Sequence, residues 1–95
     1  MKLLAIEREI PGVKETNYQP FLKPEALRVW ELYKSGVIRE IYFTDEQFAI
    51  IILECTSLEE AEKHLDTLPL VQENLITFDI VPLMPYPGFE RLFHN

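Results

Sequence analysis

Six consecutive apolar residues, Phe48-Ala-Ile-Ile-Ile-Leu53, leave this chain few ways to fold. Both parities of the run carry β-branched or aromatic side chains, which favours a strand over a buried piece of helix. Alternation is absent, so neither face of that strand can meet water freely. The run closes a hairpin within Gly36–Cys55, GVIREIYFTDEQFAIIILEC. Val37–Phe43 reads as the preceding strand, and Thr44-Asp45-Glu46-Gln47 as a short polar connection that makes the two antiparallel neighbours. A strand apolar on both faces requires a cover on each side of its sheet.

The remaining elements supply one cover. Lys2–Ile10 reads as a first strand, ended by Pro11-Gly12. On it Leu4 and Ile6 share one parity with Arg8, while Leu3 and Ala5 share the other with Glu7 and Glu9. Val13–Gln19 is polar and irregular. Pro20–Ser35 carries a helix, with Pro24 in a first-turn position where its missing N–H is harmless. Ala26, Val29, Trp30 and Tyr33 recur at helical spacing and define a stripe expected to be buried, widened by Leu22 and Leu27. Gly36 suits the position after the helix, where φ > 0 is needed. A second helix begins at Ser57, which with Glu60 forms a capping box. Its apolar face is Leu58, Ala61, Leu65 and Leu68, and Pro69 ends it. Leu70–Asn74 is a linker, and Leu75–Val81 a fourth strand. The prolines from Pro82 onward are expected to stop the ladder. The chain then runs as an extended arm over 82–95, bearing Tyr86, Phe89, Leu92 and Phe93.

Strand, helix, strand, strand, helix, strand is the ferredoxin-like α+β order with a four-stranded antiparallel sheet, and 95 residues make it a single domain. Right-handed crossovers put both helices on the same sheet face. The other face is left bare, and soluble monomers rarely expose an apolar patch of that size. A second copy, sheet against sheet, is the simplest cover, so a homodimer is expected, with the arm either exchanged onto a neighbouring chain or folded back on its own domain. The formal net charge is −7 and the pI near 4.7, with no basic cluster, which argues against nucleic acid and anionic membrane surfaces as partners. A single cysteine, Cys55, forms no intrachain disulfide and points to a reducing compartment. With no signal-peptide pattern and no run of membrane-spanning length, a cytoplasmic protein is expected. With 3 glycines and no phosphate loop, paired cysteines or nucleophile elbow, nucleotide and nucleophilic chemistry are disfavoured.

The candidate chemistry is carboxylate chemistry. Glu40 and Tyr42 lie two apart on a strand face with Ile38. Facing a cavity, Glu40 would gain the raised pKa that a general base requires, and Tyr42 would donate a hydrogen bond. The structural alternative makes Glu40 the cross-strand partner of a cation and Tyr42 core filler. Arg39 offers a planar fork for a substrate carboxylate, or an ion pair with Glu7 or Glu9. Glu25 suits the helix dipole in the first turn. Trp30, beside Tyr33, reads as core stripe or as one wall of a substrate cleft. Glu60 and His64 are too few ligands for a metal, and Cys55 reads as a buried, inert thiol.

GVIREIYF, the apolar strand after it, the capped helix ending in LDTLPL and the strand that follows resemble the muconolactone isomerase-like group of dimeric α+β barrel proteins. The likeness spans roughly Glu25 to Leu83; the first strand and the PLMPYPGFERLF tail lie outside it. The resemblance implies proton transfer on a small unsaturated lactone or organic acid, of the kind met in aromatic compound degradation. It places that chemistry in the cleft between sheet and helices, without metal or organic cofactor, in a homodimer or larger homo-oligomer. Glu25 falls near the carboxylate of the group's first helix, and Arg39, Glu40 and Tyr42 fall in its second-strand motif. The implied catalytic residues are therefore Glu40, Tyr42 and Glu25, with Arg39 as a substrate-binding residue; Trp30, from the helix stripe, is the second substrate-binding candidate. Two other readings of the same barrel stay open: a cofactor-less monooxygenase acting on a phenol or quinol, and a non-catalytic ligand-binding or assembly domain.

Overall fold

A computed structural model describes residues 1–94. Four strands, β1 (Lys2–Glu9), β2 (Ile38–Phe43), β3 (Ala49–Glu54) and β4 (Ile76–Leu83), form one sheet in the order β2-β3-β1-β4, antiparallel throughout. The helices are α1 (Glu15–Tyr18), α2 (Leu22–Lys34), α3 (Leu58–Leu65) and α4 (Pro69–Gln72), with 3-10 turns at Gln19–Phe21 and Gly88–Leu92. This is the ferredoxin-like α+β fold expected from the element order.

The apolar strand is an inner strand, paired with β2 on one edge and β1 on the other. Its odd residues face the helices. Ile51 and Leu53 are buried with Leu3 and Ala5 of β1, Leu32 of α2, Ala61 and Leu65 of α3, and Leu68. Its even residues, Ile50 and Ile52, lie half-buried on the opposite face beside Ile6 and Leu4. No helix contributes to that outer face of the sheet. Its apolar surface runs from Ile50 and Ile52 through Leu4 and Ile6 to Val81, with an Arg8–Asp79 ion pair of 2.6 Å at its margin.

Several local features differ from the sequence expectation; among them, α3 ends at Leu65, and Pro69, expected to end that helix, opens α4 instead. Leu22, Ala26, Leu27, Trp30 and Tyr33 are not buried; Trp30 is 53% exposed and Leu27 60%, and α2 instead sends Leu32 into the core. The helix packs at an angle that holds its stripe above an open cleft. The β4 ladder does not stop at Val81. Leu3 pairs with Pro82 and Lys2 with Leu83. On an edge strand alternate N–H groups face solvent, so a proline is tolerated there. Val13–Gln19 is not wholly irregular, since α1 forms one helical turn within it.

Most consequential is a register shift in β2. Ile38 pairs with Leu53, but Glu40 pairs with Ile52, so Arg39 is an extra residue in the strand. Such a bulge reverses side-chain parity beyond it. Ile38, Ile41 and Phe43 therefore lie on the helix face, while Glu40 and Tyr42 lie opposite Ile52 and Ile50 on the outer face. Arg39 Nε donates to the Gly36 carbonyl at 2.7 Å, tying the bulge to the turn after α2. Gly36 itself sits at φ 86°, a conformation only glycine adopts readily.

The hairpin turn closes through Thr44, whose carbonyl accepts from Gln47 N and whose Oγ1 accepts from Phe48 N. The second long helix is capped as the sequence suggests on one side only. Ser57 Oγ accepts from Glu60 N at 3.1 Å, but the Glu60 carboxylate reaches Thr56 N at 2.6 Å. The arm stands off the body, giving overall dimensions of 59 × 27 × 21 Å. Met84 is 84% exposed and Phe93 82%. Tyr86 folds over Gly88, where a Cβ would lie 2.1 Å from its ring, and meets Phe89 edge to face at 5.1 Å.

Burial predicts a clear asymmetry along β3. Leu53→Ala, at a fully buried site, is expected to lower unfolding free energy by about 2–5 kcal/mol in urea titration. Ile52→Ala, half-buried on the outer face of the single chain, is expected to remove much less at concentrations low enough to keep the chain monomeric. Equal losses at both sites would contradict this assignment of faces.

Candidate active-site cleft between helix and sheet

Because α2 is held off the sheet, a cleft of about 720 Å³ opens between them. Its helix wall is Leu22, Glu25, Ala26, Val29, Trp30 and Tyr33. These positions share one helical stripe, so Glu25 is a carboxylate set inside an otherwise apolar face. The sheet floor includes Ile51, Ala49, Ile41, Phe78 and Glu7. Glu7 follows Leu3 and Ala5 on the helix-facing parity of β1, which carries it under the helix. Leu68 and Leu70 close one end. This volume is that of a small-molecule site, and such sites are mostly apolar with a few placed polar groups.

The two carboxylates are the placed groups. Glu25 Oε1 accepts from Leu70 N at 2.9 Å, joining α2 to α4. Nearby, Arg28 Nε donates to Thr67 Oγ1 at 2.8 Å and ties α2 to the connection between α3 and α4. Glu7 Oε1 accepts from Ala49 N at 2.9 Å. Burial pushes the pKa of each above the ordinary carboxylate value, its backbone hydrogen bond partly offsets that, and for Glu25 the charge of Glu7 adds to the upward push. Desolvation favours the neutral acid, and a neighbouring like charge does the same.

The other sequence-nominated residues divide. Trp30 lines the cleft and stacks on Tyr33, with ring centroids 5.9 Å apart. Arg39, Glu40 and Tyr42 border the cleft from the edge strand β2. Tyr42 O–H donates to Glu40 Oε1 at 2.8 Å, in an exposed position. That hydrogen bond, with the Glu40 charge, raises the Tyr42 pKa. The bulge at Arg39 is why this pair does not share the face of Ile38. Without the extra residue Glu40 would have lain opposite Ile51 on the helix face. Arg39 is paired with neither Glu7 nor Glu9; its Nε is engaged by the Gly36 carbonyl.

Of the nominated bases, Glu25 is brought into the cleft together with Trp30. Glu7 was read from sequence as an ion-pair mate, and its place on the floor was missed. The signal for it was its parity with Leu3 and Ala5. Cys55 is buried, and burial raises its thiol pKa, as fits an inert thiol. Among the described residues no helix is long and apolar enough to cross a membrane.

No family model and no curated protein matches the chain. Among solved structures it is similar to 5-chloro-2-hydroxyhydroquinone dehydrochlorinase (TftG) from Burkholderia phenoliruptrix AC1100, in complex with 2,5-dihydroxybenzoquinone. The TM-score is 0.64 at 16% identity, over 93% of this chain and 98% of that one. At this identity the likeness is one of fold.

The raised pKa values carry a sign for stability. Between the ordinary carboxylate pKa and the raised one, the folded protein binds more protons than the unfolded chain. Stability therefore falls as pH rises through that window and is highest below it, where both states are protonated. A glutamine keeps the oxygen that accepts from Ala49 or Leu70 and removes the charge. Glu7→Gln and Glu25→Gln are each expected to raise Tm at pH 7, since each removes a partly desolvated charge. Each should flatten the stability–pH curve on the acid side. A lowered Tm in both variants would contradict the desolvation account.

Proposed function

We propose that the chain binds a small, oxygenated, unsaturated ring in the α2–sheet cleft and moves a proton on it, with Glu25 as the base. The observation that carries this reading is a carboxylate of raised pKa set in an apolar stripe, one oxygen anchored by a backbone N–H. A base whose pKa is raised, set in a mostly apolar cleft and fixed in direction, is what abstraction of a proton α to a carbonyl requires. Trp30 and Tyr33 supply flat apolar surface for a ring, and Arg39 on the rim a donor for a polar substituent. Glu40 and Tyr42, hydrogen-bonded to each other, are given no proton-transfer step.

The reading agrees with the resemblance to the muconolactone isomerase-like group, in which the proton would return to another carbon. Removal of a proton next to a carbonyl also opens an elimination. The ligand of the similar dehydrochlorinase structure, 2,5-dihydroxybenzoquinone, belongs to the proposed class of ring. Isomerisation and elimination thus share the step assigned to Glu25. The reading needs no metal or organic cofactor.

A test is available in α-angelica lactone, a neutral unsaturated lactone whose α proton can be removed and returned at the γ carbon. The protein is expected to accelerate its conversion to the conjugated isomer, followed by ultraviolet absorbance. Glu25→Gln is expected to lower kcat by roughly 10²–10⁴-fold, the usual contribution of a positioned base. Glu40→Gln is expected to change it little. Full turnover in Glu25→Gln would sink the assignment.

The outer sheet face belongs to the same proposal. Leu4, Ile6, Ile50, Ile52 and Val81 form an apolar surface that a second copy would cover, giving a dimeric α+β barrel in the cytoplasm. Sedimentation at micromolar concentration is expected to find a dimer, and Ile50→Asp a monomer. A monomeric parent protein would contradict this part of the reading.

A further inference from the structure

The cleft holds one carboxylate more than a single proton abstraction needs. Glu7 enters from the sheet floor and Glu25 from the helix wall, so the two approach a bound ring from different elements. Their anchoring is alike. Each has Oε1 held by one backbone N–H, from Ala49 and from Leu70. In each the second oxygen, Oε2, makes no hydrogen bond to another described residue, which leaves it for a ligand. No cation is paired with either group among the described residues, and the nearest guanidinium in the lining, that of Arg39, is engaged at the rim by the Gly36 carbonyl. Like charges in a common site do not both ionise freely; the charge of Glu7 raises the Glu25 pKa, and that of Glu9, farther along β1, raises the Glu7 pKa.

We propose that Glu7 is the second catalytic residue of the cleft, the acid that returns a proton to the ring after Glu25 has taken one. This rests on the proton-transfer reading above. In the step, the Glu25 carboxylate forms an O–H bond with the α hydrogen. The C–H electron pair becomes the new carbon–carbon π bond of a dienolate, and the carbonyl π pair moves onto oxygen. The oxygen lone pair then reforms the carbonyl, the dienolate π pair at the α carbon moves between the α and β carbons, and the β,γ π pair forms the C–H bond at the γ carbon with the proton of the Glu7 carboxylic acid, whose O–H pair stays on Glu7. One proton has left Glu7 and one has arrived at Glu25, so the pair keeps a single proton and its net charge. Exchange with water returns the proton to Glu7 before the next turnover. A pair of carboxyls held apart in role by their surroundings is a general way to place acid and base in one site.

The pairing can be read without a substrate. In the full chain labelled with ¹³C at the glutamate carboxyl carbons, NMR titration reports Glu7 and Glu25 separately. In Glu7→Gln the Glu25 midpoint is expected to fall by roughly half a pH unit or more, and the converse in Glu25→Gln, since each loses a like charge. Midpoints unmoved by either substitution would overturn the pairing. The role as acid is read from kcat on α-angelica lactone. The parent profile should be bell-shaped in pH, and Glu7→Gln should lose the alkaline limb and fall roughly 10²-fold in kcat, with KM little changed. A Glu7→Gln profile that keeps its bell would overturn the assignment of Glu7. Mutually shifted midpoints in a protein without turnover would support the shared proton and count instead against the proton-transfer reading.

Discussion

Everything in this fold is referred to the pairing of β3, which is bonded along both edges and apolar on both faces. Its helix-facing side chains, Ile51 and Leu53, anchor the core that Leu32, Ala61, Leu65 and Leu68 complete. Burial of each such side chain contributes about 1.5–3 kcal/mol, so this one strand binds the sheet to all the helices that cover it. Its other side chains, Ile50 and Ile52, leave an apolar strip on the outer face. The same residues that make one face a core leave the opposite face in need of a partner.

The cleft follows from how α2 meets that core. The helix enters the core through Leu32, with Val29 packed against that core, and Leu22, Glu25, Ala26, Val29, Trp30 and Tyr33 line the cleft above the sheet. Two backbone N–H groups set the chemistry of the space beneath. Ala49 N, at the start of β3, holds Glu7, and Leu70 N, in α4, holds Glu25. Desolvation by the apolar walls is the larger influence on both groups, and the backbone donors only moderate it. The carboxylates thus have pKa values raised above the ordinary carboxylate value while their direction is fixed, a combination that exposed carboxylates lack.

Much of this was legible in the chain. The unbroken apolar run gave β3 its inner place, and the order of elements the ferredoxin-like sheet. Helical spacing picked out the α2 stripe correctly but not its environment, since periodicity says which residues share a face and not how far that face stands from its neighbour. The bulge at Arg39 left no mark in the sequence. No glycine or proline announces it, and it is fixed by the Arg39–Gly36 hydrogen bond and by the pairing of Val37 with Glu54. That single extra residue moved Glu40 and Tyr42 to the outer face. Pro82 misled in the opposite sense, because its effect depends on β4 being an edge strand. Glu7 shared its parity with Leu3 and Ala5 and was readable as inward-facing, but a charge near a strand's end resembles a solvated one until the covering helix is placed.

The central claim is that the α2–sheet cleft, with its two anchored carboxylates, is where a ligand sits. The most direct measurement is the change in backbone amide NMR signals on titration of the ¹⁵N-labelled protein with α-angelica lactone. The amides of Ala49 and Leu70 donate to the two carboxylates and so report on the cleft interior. The account predicts that they shift with a common binding isotherm, together with the Trp30 indole signal, while the amides of Ile50 and Ile52 move least. Shifts confined to the outer-face residues, or spread evenly over the surface, would contradict it.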